Sequence, residues 1–277
     1  MTFHLHELGF WEPQDSPPYR HSYPDGGNAS CYTIEAHSQW FSARNETIEW
    51  ALDRFPFEGS FIDVGGGNGF QLRYLQERIF RRKKVISAMC EPGAEGCVNA
   101  AQRGVTNVYH CDFKSFPVGQ YDVGGIGLFD VIEHIENDGS FLLELMESCP
   151  AGTRFYITVP AIRLFWSSVD TYARHFRRYD RREYERIANE TGLRPVYRTY
   201  FFSYYAPFVW FLRVLAGKLR KPLTTEEIVA RELGFHRRGK RMLNGILNFL
   251  HKVEMFLIRH SVPVPFGTSM LMIFEKK

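Results

Sequence analysis

Short apolar runs alternate with amphipathic stretches through the middle of the chain. Each apolar run has the length of a buried strand, and the stretches between them repeat apolar residues at helical spacing, as Leu72, Leu75 and Ile79 do. The pattern predicts strands at 60–64, 84–91, 107–113, 121–130 and 153–160, and helices at 70–80, 94–104 and 139–149. Strands and helices that alternate in this way form a parallel sheet covered on both faces. The sequence therefore predicts an α/β fold.

The two ends of the chain depart from this rhythm. Four prolines and an Asp-Gly-Gly-Asn run make residues 1–30 an irregular arm, and residues 38–55 carry apolar positions near helical spacing. A helix at 180–192 and a strand at 193–202 are followed by a long stretch of helical pattern and a last strand. We divide the chain into an N-terminal arm with helices (1–55), a core (56–202), a helical lid insertion (203–266) and a final core strand (267–277).

Composition is that of a globular protein, and the charges are unevenly distributed. The 277 residues are 44% hydrophobic and 23% charged, with a net charge of only +3. The first sixty residues are acidic, whereas the stretch from Arg213 to Arg241 has nine basic and three acidic residues. This distribution predicts a basic face in the C-terminal third, which is either a solvated surface or a contact for an anionic substrate or membrane.

Residues 200–217 are the most apolar long stretch, but Arg213, Pro207 and four tyrosines disfavour a membrane span. Apolar residues followed by the basic GKLRKP predict a helical cap or, alternatively, peripheral membrane contact through 203–221.

The N-terminus has no basic region followed by an apolar run, and the five cysteines form no CxxC pair. We therefore expect a cytoplasmic location, peripheral to a membrane in the alternative case, with reduced and mostly buried thiols.

The stretch FIDVGGGNGF (61–70) indicates where a ligand binds. A strand that ends in glycines and opens a helix presents free N–H groups and a helix dipole, and the absent side chains allow close approach. The dinucleotide pattern G-x-G-x-x-G would place its last glycine at Phe70. Because a bulky residue there blocks the pyrophosphate mode, the loop disfavours a dehydrogenase and favours a ligand without pyrophosphate.

The loop resembles the first motif of class I S-adenosylmethionine-dependent methyltransferases, an acid and a turn followed by G-x-G-x-G. Glu91, at the end of the second strand, and YDVGGIGLFDVIEHIEND (121–138) resemble later motifs of the same family. The resemblance implies a Rossmann-like, doubly wound sheet of seven strands with the last antiparallel. It also implies S-adenosylmethionine as cofactor and S-adenosylhomocysteine as product.

The resemblance assigns cofactor contacts as well. Asp63 would hold the ammonium group, Glu91 the ribose hydroxyls, and Asp112 with Phe113 the adenine. The full set of predicted cofactor-binding residues is Asp63, Gly65, Gly66, Gly67, Gly69, Glu91, Pro92, Asp112, Phe113 and Phe129. The chain departs from the family at Gly66, where a cysteine or serine is common, and this predicts a looser turn.

A second set of residues suggests the branch of the family. After the fifth predicted strand come Val159-Pro160, Trp166, Asp170 and HFRRY (175–179). They resemble methyltransferases of polysaccharide, lipid and secondary-metabolite pathways, near the ubiquinone-pathway O-methyltransferases. The early HSQWFSAR and the closing PFGTSMLMIFEKK resemble the same group. The resemblance implies a small-molecule, glycan or lipid-linked acceptor, methylated on oxygen, and leaves the oligomeric state open.

Methyl transfer to an oxygen of high pKa needs a base, and two histidines compete for that role. His175 follows the fifth strand where an acceptor would enter, and His134 follows the fourth. We favour His175. The predicted acceptor-binding residues are Trp166, Asp170, Arg174, Arg177, Arg178 and Tyr179, whose arginines either bind an anion or pair with nearby acids.

No metal is expected, because the sequence shows no His/Asp/Glu cluster with ligand spacing. An aminopropyltransferase would want extra acids near a polyamine, and the basic loops disfavour it. A non-enzymatic S-adenosylmethionine-binding or interaction module would be expected to lose cofactor positions, which are all present here. Nucleic-acid methylation is disfavoured, because LFDV stands where an amine-methylating N-P-P-Y motif would follow the fourth strand.

Overall fold

The computed structural model describes residues 2–14, 27–215, 224, 227–228, 230, 234, 241–262 and 264–277. The strands are β1 (Phe3–Leu5), β2 (Trp11–Pro13), β3 (Ser60–Val64), β4 (Ser87–Glu91), β5 (Val108–His110), β6 (Val123–Phe129), β7 (Arg154–Pro160), β8 (Arg194–Phe201) and β9 (Ser269–Glu275). The α-helices are α1 (Gly27–Glu35), α2 (Gln39–Arg54), α3 (Phe70–Leu75), α4 (Arg81–Lys83), α5 (Ala94–Gln102), α6 (Asp138–Glu147), α7 (Ser168–Tyr172), α8 (Arg181–Thr191), α9 (Ala206–Val209) and α10 (Arg241–Arg259).

All these strands form one mixed sheet in the order β1-β2-β5-β4-β3-β6-β7-β9-β8. The five central strands, in the order β5-β4-β3-β6-β7, are parallel to one another. Strand β9 runs antiparallel to both β7 and β8. Each strand predicted from the apolar runs occurs, β3 with the predicted bounds and the others with one or both ends shifted. The predicted α/β class is therefore confirmed.

The prediction of seven strands is wrong, because nine strands form the sheet within the described residues. The two additional strands come from the N-terminal segment that we expected to be irregular. Gly9, with a φ of +88°, makes the turn between them, and β2 joins the edge of the sheet beside β5. Phe10 is buried and Trp11 stacks on Tyr109, so the hairpin covers apolar surface at this edge. Of the rest of the predicted irregular arm, residues 15–26 lie outside the described residues, and residues 27–30 form the start of helix α1.

The predicted helix 70–80 extends to Lys83 and is not a regular α-helix throughout. A π-helical turn at Gln76–Phe80 joins α3 to α4 and buries Ile79 and Phe80. Lys84 then adopts a left-handed conformation, with a φ of +55°, that ends the helix. For this reason β4 begins at Ser87, three residues later than the apolar run predicted.

The carboxyl ends of the parallel strands meet at one edge of the sheet, where ligands bind in open α/β folds. The loop after β3 carries Gly65–Gly69, and the loops after β6 and β7 carry the two candidate bases. Of the predicted insertion 203–266, the structure describes residues 203–215, which include α9 and the π-helical turn Trp210–Leu215 that continues it. It also describes five positions between 224 and 234, and residues 241–266 except 263. The remaining part of the predicted lid and of the 203–221 membrane segment lies outside the described residues.

Candidate active site

The glycine loop leaves backbone exposed to a cavity. Gly65 and Gly67 have φ angles of +70° and +53°, which favour glycine because a Cβ is strained there. A Cβ built at Gly67 has no neighbour nearer than the Asn28 Oδ1 at 3.9 Å, so the space above this residue is open. Both glycines line the cavity. A ligand can therefore lie directly against the backbone at this turn.

Gly66 and Gly69 are required for packing. A Cβ at Gly66 would lie 2.4 Å from the Met89 sulfur, and one at Gly69 would lie 2.6 Å from the Ala100 Cβ. Gly66 also lines the cavity, whereas Gly69, predicted to bind the cofactor, does not. Gly69 caps α3 in a left-handed conformation and lets α5 approach the loop. The Met89 side chain fills the space that a cysteine or serine would take at position 66, which is a physical reason for this departure from the family pattern.

Asp63 is a buried carboxylate next to this loop. It is 1% exposed, and among the described residues neither of its oxygens has a hydrogen-bond partner. Burial raises the pKa of Asp63 to about 7; the positive charge of Arg44 opposes this shift and Glu91 adds to it. Such a group is stabilised by a cationic ligand that enters the cavity.

Glu91 holds the loop in shape. One of its oxygens accepts a hydrogen bond from the Gly67 N–H at 2.9 Å, and the other accepts from the Gly93 N–H at 2.7 Å. The carboxylate lines the cavity beside the turn. Glu91 thus lies at the position predicted for a ribose contact, and it also fixes the turn.

The other predicted cofactor residues line the same cavity. Asp112 caps the 3₁₀ turn Phe113–Ser115 by accepting from the Ser115 N–H. Phe113 is buried and stacks on Phe116, with ring centroids 6.0 Å apart. Pro92 and Phe129 complete this part of the lining. An apolar wall with an exposed acid at its rim suits a flat ring that carries an amino group.

The cavity has a volume of about 870 Å³, and it brings the two candidate bases to the same space as the glycine loop. We call Asp63, Gly65–Gly67 and Glu91 the glycine-loop side. We call Glu133, His134, Asp170, His175 and Arg178 the histidine side. All of these residues line the one cavity, although they come from the ends of β3 and β4 and from the segments that follow β3, β6 and β7.

His175 is held by a buried aspartate. Its Nδ1 lies 3.1 Å from an Asp170 oxygen, and Arg178 donates to both oxygens of that carboxylate at 2.7 and 3.1 Å. The backbone N–H and the hydroxyl of Ser167 also donate to it. Burial alone would raise the pKa of Asp170, but the His175 hydrogen bond and the Arg178 charge outweigh it and lower the pKa to about 2. Asp170 is therefore ionised and fixes the orientation of the His175 ring.

His134 and Glu133 lie beside His175. The two imidazole rings meet edge to face, with centroids 4.7 Å apart. Burial, followed by the nearby His175, lowers the pKa of His134 to about 3. Burial and the nearby Asp130 raise the pKa of Glu133 well above its ordinary value. Glu133, His134 and His175 each offer a ligand atom within 4.8 Å of the others, so the structure forms a cluster that sequence spacing did not show.

Four of the predicted acceptor-binding residues do not line the cavity: Trp166, Arg174, Arg177 and Tyr179. Arg177 and Tyr179 instead bind the buried Asp138, at 2.7 and 2.8 Å. Trp166 donates weakly to Thr171, and Arg174 is exposed. The expected pairing with a nearby acid is thus found for Arg178, which binds Asp170, whereas Arg177 pairs with Asp138, an acid far away in sequence.

Sequence reasoning missed Arg44, which lies within the quoted HSQWFSAR motif. Its side chain is buried at the cavity wall, 3.0 Å from Asp130, and donates to the Phe129 carbonyl. It also missed helix α1, whose Glu35 contacts Asn68 of the glycine loop and pairs with Arg103. Arg44 and α1 lie beside the glycine-loop side. In the sequence, the only sign of a role for Arg44 was its place in the HSQWFSAR motif.

The residues present fit S-adenosylmethionine. The methionine part of this molecule carries an ammonium group, which suits the buried Asp63, a carboxyl group without a hydrogen-bond partner among the described residues. It also carries a carboxylate, which suits the buried Arg44. The open space at Gly67 admits the chain between them, and the Asp112–Phe113 wall suits adenine.

Comparison with known families gives the class of the protein. A family model described as a methyltransferase domain matches residues 32–198, which is more than half of the chain. The chain therefore belongs to the methyltransferase domain family. The predicted methyltransferase class is therefore confirmed. The branch within the class is not resolved, and no curated protein matches the sequence closely enough to serve as a relative.

Solved structures agree on the fold at low sequence identity. The chain resembles Haemonchus contortus phosphoethanolamine N-methyltransferase 2 bound to S-adenosylmethionine (15% identity, TM-score 0.56, covering 93% of this chain and 58% of that one). It resembles the plantazolicin methyltransferase BamL (13% identity, TM-score 0.53, covering 92% of each chain). It also resembles the [4+2]-cyclase SpnF (14% identity, TM-score 0.56, covering 95% of this chain and 99% of that one). The chain thus spans little more than half the length of the first of these, and identities this low show the fold alone.

Proposed function

We propose that this chain transfers a methyl group from S-adenosylmethionine to an oxygen of a small-molecule, glycan or lipid-linked acceptor. One observation supports this most strongly. A single cavity is lined by the glycine-loop side and also by His175, whose ring a buried and ionised Asp170 orients. A cofactor and an acceptor can therefore be brought together in it, and a base is available where they meet.

The glycine-loop side would bind the cofactor. Asp63 would hold the ammonium group, Arg44 the carboxylate, Glu91 the ribose hydroxyls, and Asp112 with Phe113 the adenine. Bound S-adenosylmethionine would supply a methyl group on a positively charged sulfur, which needs no further activation by the protein. The protein then has to place the acceptor in line, exclude water and remove one proton.

His175 is the better candidate for removing that proton. Because its Nδ1 faces Asp170, its Nε2 is the nitrogen that can receive a proton from an acceptor hydroxyl. The negative Asp170 then stabilises the imidazolium that forms. His134 is the weaker base, since a pKa of about 3 leaves it almost no affinity for a proton at neutral pH. We therefore assign His134 to the shaping of the cavity beside His175.

The proposal is tested with methyl-labelled S-adenosylmethionine and fractionated lipid and polar extracts. We expect label in an acceptor, together with release of S-adenosylhomocysteine. His175→Gln should lower turnover by about 100-fold or more, because base catalysis is worth that much. Its affinity for S-adenosylhomocysteine should stay unchanged. Binding without any labelled product in any fraction would contradict methyl transfer and favour another chemistry on this fold, as in the cyclase.

Metal-assisted transfer is the second candidate, and the Glu133–His134–His175 cluster favours it. Two imidazoles and one carboxylate form a set that transition metals accept. A bound cation would lower the pKa of an acceptor hydroxyl directly. We propose metal-free transfer because Asp170 already orients His175 as a base, so that removal of the acceptor proton needs no bound cation.

The two candidates differ in their response to chelation. The metal-free mechanism predicts full turnover after dialysis against EDTA. Loss of turnover that returns with a divalent cation in the wild type, but not in Glu133→Gln, would establish the metal-assisted mechanism instead.

A further inference from the structure

Helix α10 is apolar on two opposite faces. The face toward the core buries Leu247, Met255 and Ile258. The opposite face exposes Ile246, Phe249, Val253 and Phe256, at 50%, 65%, 42% and 58% of their surface. These four residues are spaced by three or four and form one stripe along the helix. A surface helix normally carries polar residues there, so the stripe is typical of a helix that contacts a second apolar phase.

The segment of α9 and its π-helical continuation connects the cavity with a similar outer surface. Tyr205 and Val209 line the cavity. Phe208 and Phe211, from the same turns, are 41% and 58% exposed. One short segment therefore forms part of the cavity wall on one side and presents two phenylalanines outward on the other.

Helix α10 is anchored to the start of this segment. The buried Glu254 accepts hydrogen bonds from the backbone N–H groups of Phe202 and Ser203, both at 2.7 Å. The Tyr204 and His251 rings also lie against each other. The helix and the cavity wall are thus fixed to one another by buried contacts. We call the exposed residues Phe208, Phe211, Ile246, Phe249, Val253 and Phe256 the outer apolar face.

The charges near this face are predominantly positive. Lys252, Arg259 and His260 are exposed on α10 or just after it. In the sequence, the stretch from Arg213 to Arg241 has nine basic residues and three acids. Exposed phenylalanines flanked by lysine and arginine suit the interface of an anionic lipid bilayer. No described helix is long and apolar enough to cross a membrane, so the contact would be superficial.

We propose that the outer apolar face docks on the surface of an anionic lipid bilayer, with the cavity opening beside it. Docking itself is independent of the proposed function. A lipid-linked acceptor is a further consequence, and this consequence rests on the proposed function. An acceptor held in the bilayer would reach the cavity along α9.

The test is sedimentation of the full chain with vesicles of neutral phosphatidylcholine or of phosphatidylcholine with 30% phosphatidylglycerol, a composition chosen as roughly that of a strongly anionic surface. We expect binding at least tenfold tighter to the anionic vesicles. Phe249→Ser with Phe256→Ser should weaken that binding by at least tenfold. The matched control is Ile86→Ser with Leu143→Ser, which removes exposed apolar side chains elsewhere and should bind like the wild type.

The affinity for S-adenosylhomocysteine, measured on the same preparations, shows whether each variant is folded and separates docking from methyl transfer. Equal vesicle binding by the Phe249/Phe256 variant, the control and the wild type would overturn the proposal. So would a wild type that ignores vesicles but forms a dimer that the Phe249/Phe256 variant loses, since the face would then be an interface between two copies. Vesicle binding without label transfer to any lipid fraction would leave docking supported and contradict the lipid-linked acceptor.

Discussion

The two sides of the cavity differ in the hydrogen-bond partners of their buried carboxyl groups. On the glycine-loop side, Asp63 is buried without a hydrogen-bond partner among the described residues, and burial raises its pKa to about 7. On the histidine side, Asp170 is equally buried, yet it accepts from His175, Arg178 and Ser167, and its pKa is lowered to about 2. One carboxylate thus lacks a partner that a ligand can supply, and the other already has its partners.

This difference indicates which side changes on binding. A charge with complete partners holds its neighbours in one geometry, which is what a positioned base requires. A charge without partners gains most from a cationic ligand. We therefore expect substitutions on the histidine side to affect turnover and stability, and those on the glycine-loop side to affect cofactor affinity.

The largest effect is expected from Asp170→Asn. It removes the charge that orients His175 and leaves Arg178, whose side chain is 6% exposed, without its partner. We expect turnover to fall by about 100-fold or more and the free energy of unfolding to fall by about 3 kcal/mol. The measurements are label transfer and urea unfolding.

The control for Asp170→Asn is Glu185→Gln, which breaks the exposed Arg181–Glu185 pair. It should leave the free energy of unfolding nearly unchanged, since exposed pairs contribute little. If the two substitutions lower the free energy of unfolding equally, the Asp170–Arg178 pair does not stabilise the site.

The next effect concerns Glu91→Ala. Charged hydrogen bonds contribute about 1.5–3 kcal/mol each, so loss of the ribose contact should weaken S-adenosylhomocysteine binding by roughly tenfold or more. Calorimetric titration measures this, and Glu95→Ala, an exposed acid at the start of α5, is the control. Unchanged affinity in a folded variant would remove Glu91 from the cofactor site.

The pH dependence of binding distinguishes the two carboxylates. Below pH 7 the free protein holds Asp63 protonated, and a cofactor ammonium group favours the ionised form, so binding releases a proton. Affinity should therefore rise with pH, by up to about tenfold per unit, and level off above pH 7. Asp63→Asn should bind more weakly and lose this part of the slope. An identical slope in both proteins would mean that Asp63 does not meet the ammonium group.

The smallest effect is on the packing of the glycine loop. Gly66→Ala places a methyl group against the Met89 sulfur and should lower the free energy of unfolding by about 1–3 kcal/mol. Met89→Val should recover part of that loss in the double variant, because the shorter side chain vacates the space. Additive losses in urea unfolding would show that the two residues do not compete for it.

The sequence predicted the central strands and the glycine loop, because buried strands and tight turns are encoded by adjacent residues. It could not predict the β1–β2 hairpin, whose strands are three residues each and gain stability only by packing on the sheet edge. Nor could it predict that Arg177 binds Asp138, since that pairing depends on how two distant loops meet. Glu133, His134 and His175 form a cluster for the same reason, and the expectation of no metal-ligand spacing overlooked it.

The division of the cavity into two sides is tested most directly by titrating S-adenosylhomocysteine into the wild type, Asp63→Asn and His175→Gln at pH 7.5. This measurement needs no acceptor. We expect one site in the wild type, an affinity at least about tenfold lower in Asp63→Asn, and wild-type affinity in His175→Gln. Absence of binding to the folded wild type, or an equal loss in both variants, would contradict it.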